Sequence, residues 1–140
     1  MIFESVLIVD DETAVLRMLK MALTKQGCSH VDTAGEGEEA LRKISRESYD
    51  LVITDIRMPG YSGNEILFHV RQKSPMIPVV GMSGTPWLLE EGFDAVICKP
   101  CTMPELTEAV RVAVSRKFGA DCVSGAGSSG TVGSKAEGMK

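Results

Sequence analysis

The sequence predicts an α/β fold: a doubly wound, five-stranded parallel sheet of the (βα)5 type. Two observations lead there. Short apolar runs rich in Val and Ile alternate with stretches whose apolar residues recur at helical spacing, the pattern of repeated βαβ units. Polar residues stand at the ends of several of these runs, where open α/β sheets keep their ligands. Asp10 and Asp11 follow Val6-Leu7-Ile8-Val9, and Asp55 ends Asp50-Leu51-Val52-Ile53-Thr54-Asp55.

The strands are expected at residues 5–9, 30–33, 51–54, 79–82 and 95–98. Most read as continuous apolar segments, the signature of strands buried on both faces. Residues 30–33 are expected at a sheet edge. Between the strands, Val15/Leu16, Leu19 and Ala22/Leu23 form one apolar stripe at helical spacing. Ala40/Leu41 with Ile44, Ile66/Leu67 with Val70, and Leu106, Val110 and Ala113/Val114 form three more. Each stripe is a helix face turned to the core.

Two helix starts carry capping boxes, Ser62-Gly63-Asn64-Glu65 and Thr102-Met103-Pro104-Glu105. In each, a hydroxyl and the carboxylate three residues later satisfy orphan amides reciprocally. Between Ser83 and Asp94 only about two helical turns fit. There Thr85 suits an N-cap, Pro86 the first helical position and Gly92 the position just past the end. From Gly119 onward Gly and Ser dominate with almost nothing to bury, so residues 3–118 are expected to form the folded domain and residues 119–140 a flexible tail or linker.

A chain of 140 residues is long enough to bury a core without disulfides or a structural metal. Its formal charge of −4 and mixed charge distribution offer no basic stripe for a phosphate backbone, which argues against direct nucleic-acid binding. The first residues lack a positive leader, and the apolar run behind them is interrupted by Asp10, too early for a signal peptide or membrane span. The expected compartment is the cytoplasm, where Cys28, Cys98, Cys101 and Cys122 remain thiols.

The acidic trio is the feature that demands a function. Like charges about 5 Å apart repel by roughly 3 kcal/mol at an effective dielectric of about 20, so a fold keeps such a cluster only where a cation or a proton relieves it. Two further strand ends add Ser83, after Val79-Val80-Gly81-Met82, and Lys99, after Ile97-Cys98. Three carboxylates, a hydroxyl and an ammonium are the set phosphoryl chemistry needs: hard oxygen ligands, a carboxylate nucleophile, and donors for phosphoryl oxygens. Magnesium suits such a site because it takes a few carboxylates and keeps its other positions for water and substrate.

Asp10-Asp11-Glu12, Asp55 followed by Met58-Pro59-Gly60, Ser83-Gly84 and Lys99-Pro100 stand in the order of a known family. From about Phe3 to Phe118 the chain resembles the receiver domains of two-component response regulators. The resemblance implies a flavodoxin-like architecture with strand order 2-1-3-4-5. It makes Asp55 the phosphoacceptor that attacks a phosphohistidine on a partner histidine kinase or histidine phosphotransfer protein. Asp10, Asp11, Asp55 and the backbone carbonyl of Arg57 would then hold magnesium. Ser83 would donate to a phosphoryl oxygen, and Lys99 would pair first with Asp55 and then with the phosphoryl group. Pro100 matches the family's proline after this lysine, often in a cis bond. Arg57 and Thr85 match variable positions that tune phosphoryl lifetime. The implied activity is that of a signalling switch, catalysing only its own phosphorylation and dephosphorylation, acting on a downstream protein target, as a monomer or a phosphorylation-dependent dimer.

The chain departs from the family in two places. Val96 stands where members often carry an inward-swinging Tyr or Phe, and the stretch from Ser83 to Lys99 is several residues short, so the helix between the fourth and fifth strands is expected to be abbreviated. Both departures touch the face through which the family usually signals. Trp87-Leu88-Leu89 in that stretch suit either core packing or, if exposed, a partner site. The Gly/Ser tail is compatible with output through a protein contact or with an output domain beyond it.

The same residues suit other chemistry less well. Cys98-Lys99-Pro100-Cys101 has the spacing of a redox pair or half a zinc site. Against it, Cys98 ends a strand rather than starting a helix, no second such pair exists, and His30 and His69 are remote in sequence. Aspartyl-phosphate phosphatases also use an Asp after a strand, but need a second acid two residues on, where this chain has Arg57. His69, inside a helical stretch, is expected at or near the surface without a catalytic task.

Overall fold

The computed structural model describes residues 3–58, 60–84 and 92–118. Five parallel strands, β1 (Ser5–Val9), β2 (His30–Ala34), β3 (Leu51–Asp55), β4 (Val79–Ser83) and β5 (Ala95–Cys98), lie in the order β2-β1-β3-β4-β5. Four helices are described: α1 (Thr13–Lys25), α2 (Gly37–Arg46), α3 (Gly63–Lys73) and α4 (Met103–Phe118). The expected α/β fold class, strand order and edge placement of β2 are all observed. β2, β3 and β4 each run one residue past the expected end, because Ala34, Asp55 and Ser83 still pair in the ladder, opposite Val9, Met82 and Cys98.

Alternation along the strands divides the core into two layers. Val6, Ile8, Leu51, Ile53, Val80 and Met82 face Leu16, Leu19 and Leu23 of α1 and Leu106, Ala109, Val110 and Ala113 of α4. Leu7, Val9, Val52 and Val79 face Ala40 and Ile44 of α2 and Ile66, Leu67 and Val70 of α3. Every helical stripe read from the sequence therefore meets the sheet. Each fully buried Leu or Ile contributes roughly 1.5–3 kcal/mol, so the sheet is a rigid base for the loops at its carboxyl edge.

Both capping boxes form. The Ser62 amide donates to Glu65 Oε1 at 2.8 Å while Ser62 Oγ accepts from the Glu65 amide, and the Thr102 amide donates to Glu105 Oε1 at 2.8 Å with Thr102 Oγ1 accepting from the Glu105 amide. The expected short helix with Thr85, Pro86 and Trp87-Leu88-Leu89, Pro59, and the tail from Gly119 lie outside the described residues. Gly92, where that helix was expected to end, has φ 95°, a backbone state open chiefly to glycine. No helix among the described residues is long and apolar enough to cross a membrane.

Polar ties pin the amino edge of the sheet. Asp94, buried just before β5, accepts from the Val79 amide at 2.8 Å and from Arg71 of α3 at 2.9 Å, and lies 3.6 Å from Lys117 of α4. Arg71 also donates to the carbonyls of Ile77 and Gly92. Lys73 donates to the carbonyls of Ile44 and Glu47 at the end of α2. On the edge strand, the buried Tyr49 hydroxyl donates to Asp32 Oδ2 at 2.5 Å, and His30 Nε2 lies 3.1 Å from Asp32 Oδ1. Burial pushes the Tyr49 hydroxyl up, and Asp32 pushes it further. Burial acts against ionised Asp32, but the Tyr49 hydrogen bond with the charges of His30 and Lys43 outweighs it, and the carboxyl lies below its usual value.

Two expectations follow. Tyr49→Phe should lower stability by about 1–2 kcal/mol near neutral pH. Because Asp32 is depressed, its share of this stabilisation is present above the ordinary carboxylate range and lost as pH falls below it. Because Tyr49 is raised, its share is present below about pH 10 and fades above it. Urea titrations across pH should therefore show the wild-type advantage narrowing at both ends. Second, a Cβ on Gly63 would sit 2.6 Å from the Asp55 carbonyl oxygen and 2.7 Å from Ile56 Cα. Since backbone atoms cannot step aside, Gly63→Ala should lower the urea midpoint, by about 2 kcal/mol in stability.

Candidate functional site

Three crossover loops meet at the carboxyl edge of the sheet, and each brings one part of the expected site. Asp10 leaves β1 with its amide bonded to the Ala34 carbonyl at 3.1 Å, its side chain fully buried. Asp11 follows it, exposed. Asp55 ends β3, only 6% exposed, and the Ile56 amide behind it bonds to the Met82 carbonyl. Ser83 ends β4, buried, and its carbonyl accepts the Lys99 amide at 2.9 Å. The strand order places these ends side by side.

Asp10, Asp11 and Asp55 each offer a carboxylate oxygen, and these oxygens lie within 4.8 Å of one another. Hard oxygen donors in that number fit a magnesium ion, which binds through a few carboxylates and retains waters. Two amides steady the trio: that of Glu12 donates to Asp10 Oδ1 at 2.8 Å, and that of Arg57 to Asp55 Oδ1 at 3.4 Å. Burial raises the Asp10 carboxyl above its usual value, partly opposed by the Glu12 amide and by Lys99, and reinforced by the negative charge of Asp55. A cation here would relieve that electrostatic load.

Lys99 crosses the edge from β5, and its ammonium lies 3.1 Å from Asp55 Oδ2, 3.0 Å from Asp10 Oδ2 and 2.9 Å from Glu12 Oε1. Burial by itself would depress this lysine, but the three carboxylates, Glu12 foremost, hold its pKa well above the ordinary value. Asp55 as its partner was expected from the sequence; Asp10 and Glu12 were not. The signal for Glu12 lay in the acidic run Asp10-Asp11-Glu12, but its role as a partner depends on a contact spanning 87 residues. The Lys99-Pro100 bond is cis, as the resemblance implied.

Val96 is half-buried and packs against the α2/α3 layer. His69 is exposed, with its ring edge-on to Phe68 at 5.7 Å. Cys28, Cys98 and Cys101 are free thiols, and Cys122 lies outside the described residues. Burial, helped by the charge of Glu105, pushes the Cys101 thiol up, the opposite of what an attacking thiolate needs. Neither cysteine belongs to the one metal-competent cluster among the described residues. Nothing here supports the thiol alternative.

The sequence profile of the response regulator receiver domain matches residues 6–111. The chain is 36% identical over 116 residues to the uncharacterized transcriptional regulatory protein YcbL of Bacillus subtilis (strain 168), a match covering 79% of this chain and 50% of that protein. It spans about half the length of the curated relatives it matches. Among solved structures, a response regulator receiver domain protein from Clostridium thermocellum aligns with a TM-score of 0.69 and 31% identity, over 81% of this chain and 95% of that one. The response regulator TrrA of Thermotoga maritima, solved in complex with Mg(2+)-BeF, aligns with a TM-score of 0.66 and 34% identity, over 77% and 96%. The profile spans most of the chain and the fold beneath it is the same: this protein belongs to the response regulator receiver domain family of two-component systems.

Proposed function

We propose that the chain is a phosphoacceptor switch, phosphorylated on Asp55 in a magnesium-dependent reaction with a histidine kinase or histidine phosphotransfer protein. The observation that carries this reading is the buried Asp55 carboxylate at a strand end, 3.1 Å from the Lys99 ammonium and within 4.8 Å of the oxygens of Asp10 and Asp11. Asp10, Asp11, Asp55 and the Arg57 carbonyl are the groups proposed to hold magnesium. When bound, the ion neutralises charge on the phosphoryl oxygens.

The protein's own groups do the rest. An Asp55 oxygen attacks phosphorus, the bond from phosphorus to the donor's imidazole nitrogen breaks, and the imidazole takes its electron pair and a proton from solvent. Lys99 stays close to Asp55 and donates to a phosphoryl oxygen as charge develops, while Ser83, at the end of the adjacent strand, donates its hydroxyl to another. Water later returns Asp55 to the free carboxylate. The chain is in this sense a switch rather than a metabolic enzyme: the phosphoryl group adds charge and acceptor oxygens beside Ser83 and Lys99 and biases a surface that a downstream protein reads.

The names of the relatives support partners of this kind. Several are transcriptional regulators, and one is the sensor histidine kinase RcsC of Salmonella typhi. We place this chain in the cytoplasm, as a receiver module that does not itself contact nucleic acid, monomeric or dimerising on phosphorylation. Residues 3–118 form the receiver domain in this reading, and residues 119–140 a tail or linker.

Incubation with magnesium and an acyl phosphate donor should add one phosphoryl group by intact mass, and Asp55→Asn should abolish it. An unmodified wild type, or an unchanged adduct on Asp55→Asn, refutes the reading. Separately, magnesium at ten times its dissociation constant should stabilise the fold by about 1.4 kcal/mol, and Asp10→Ala should remove that shift in thermal melts.

A further inference from the structure

Lys99 has three ammonium hydrogens, and three carboxylates receive them: Asp10 Oδ2 at 3.0 Å, Asp55 Oδ2 at 3.1 Å and Glu12 Oε1 at 2.9 Å. Two of these acceptors belong to the metal-competent cluster and the third, Glu12, does not. The distinction matters during the reaction proposed above. Asp10 and Asp55 would share their lone pairs with a bound cation, and an Asp55 that has become an acyl phosphate no longer carries a carboxylate charge. Glu12 alone retains its full charge for the lysine throughout.

Its location suits an anchor. The Glu12 amide is tied to Asp10 Oδ1, and its carbonyl accepts from the amides of Val15 and Leu16 at 3.1 and 3.2 Å, so its backbone is held by both the site and the first turn of α1. Glu12 occupies the N-cap of α1, yet its side chain makes no capping bond. The carboxylate is thus not needed for the helix. The side chain is 60% exposed, that of Lys99 19%, so the glutamate meets the ammonium from the solvent side.

We infer that Glu12 is a positioning residue for Lys99, holding the ammonium over Asp55 after the metal and the phosphoryl group have claimed its other two partners. The inference rests on the receiver reading and deepens it. A freely pivoting lysine can swing its charge into water, where its long stem has many rotamers; a carboxylate on the outer side removes that freedom without competing for the cation.

The test compares wild type, Glu12→Gln and Glu12→Ala, each with and without Lys99→Ala, at saturating magnesium over a range of acyl phosphate donor concentrations. Glu12→Ala should lower the maximal phosphorylation rate about fivefold, the equivalent of one favourable charge-assisted contact, without raising the donor KM. Glu12→Gln, which keeps an oxygen acceptor but loses the charge, should recover only part of that rate. Neither change should matter once Lys99 is alanine. Independently of turnover, 15N spectra of the magnesium-saturated protein should show a slowly exchanging Lys99 ammonium in wild type that broadens away in Glu12→Ala. An unchanged maximal rate in Glu12→Ala, an equal loss in the Lys99→Ala background, or a Lys99 signal indifferent to Glu12 overturns the inference. A wild type that takes no phosphoryl group overturns the receiver reading itself, whereas a wild type that does and is matched by Glu12→Ala overturns only the role given to Glu12.

Discussion

The convergence of carboxylates on one ammonium at the carboxyl edge of the sheet is the constraint around which this molecule is built. Asp10 and Asp55 are nearly inaccessible to water and lie close enough to repel each other. A fold that forces them together must supply positive charge, and Lys99 supplies it from the far edge strand. Coulomb energy inside a protein grows as the local dielectric falls. The same burial that makes the acid pair costly therefore makes the lysine effective and leaves the site strongly disposed to accept a cation.

Such a cluster holds its geometry only on a base that does not yield. The two apolar layers on either face of the sheet provide it, and the strand ladder carries the stiffness up to the residues proposed to react: Asp55 still pairs with Met82, and Ser83 with Cys98. The β3–α3 connection is pressed tightly against this base, with the first residue of α3 lying on the backbone of Asp55 and Ile56. At the opposite edge Asp94 joins α3, β4 and α4 through one carboxylate. One end of the sheet is thus tied by structural charges and the other carries the cluster of carboxylates gathered on Lys99.

Much of this was legible beforehand, for reasons that particular residues make clear. Val6-Leu7-Ile8-Val9 can only be a strand buried on both faces once the amphipathic stripe from Val15 to Leu23 follows it, and the hydroxyl–carboxylate pairs at Ser62/Glu65 and Thr102/Glu105 announce helix starts through purely local bonds. Local chemistry of this kind is encoded within a few residues. The ties between Tyr49 and Asp32, between Arg71 and Asp94, and between Lys99 and Glu12 span 17, 23 and 87 residues. No periodicity or spacing carries them, since each exists only after crossover connections have set strands and helices beside one another.

By itself the sequence determined the element types, the α/β class and the identity of the groups at the strand ends, because hydrophobic period and capping act over one or two turns. The tertiary structure alone decided that Asp10 and Glu12 join Asp55 on the lysine. Asp11 and Glu12 are chain neighbours of similar chemistry, yet one joins Asp10 and Asp55 in the metal-competent cluster and the other reaches Lys99. That division follows from where β5 lies relative to β1 and β3, a matter of sheet order that adjacent residues cannot encode.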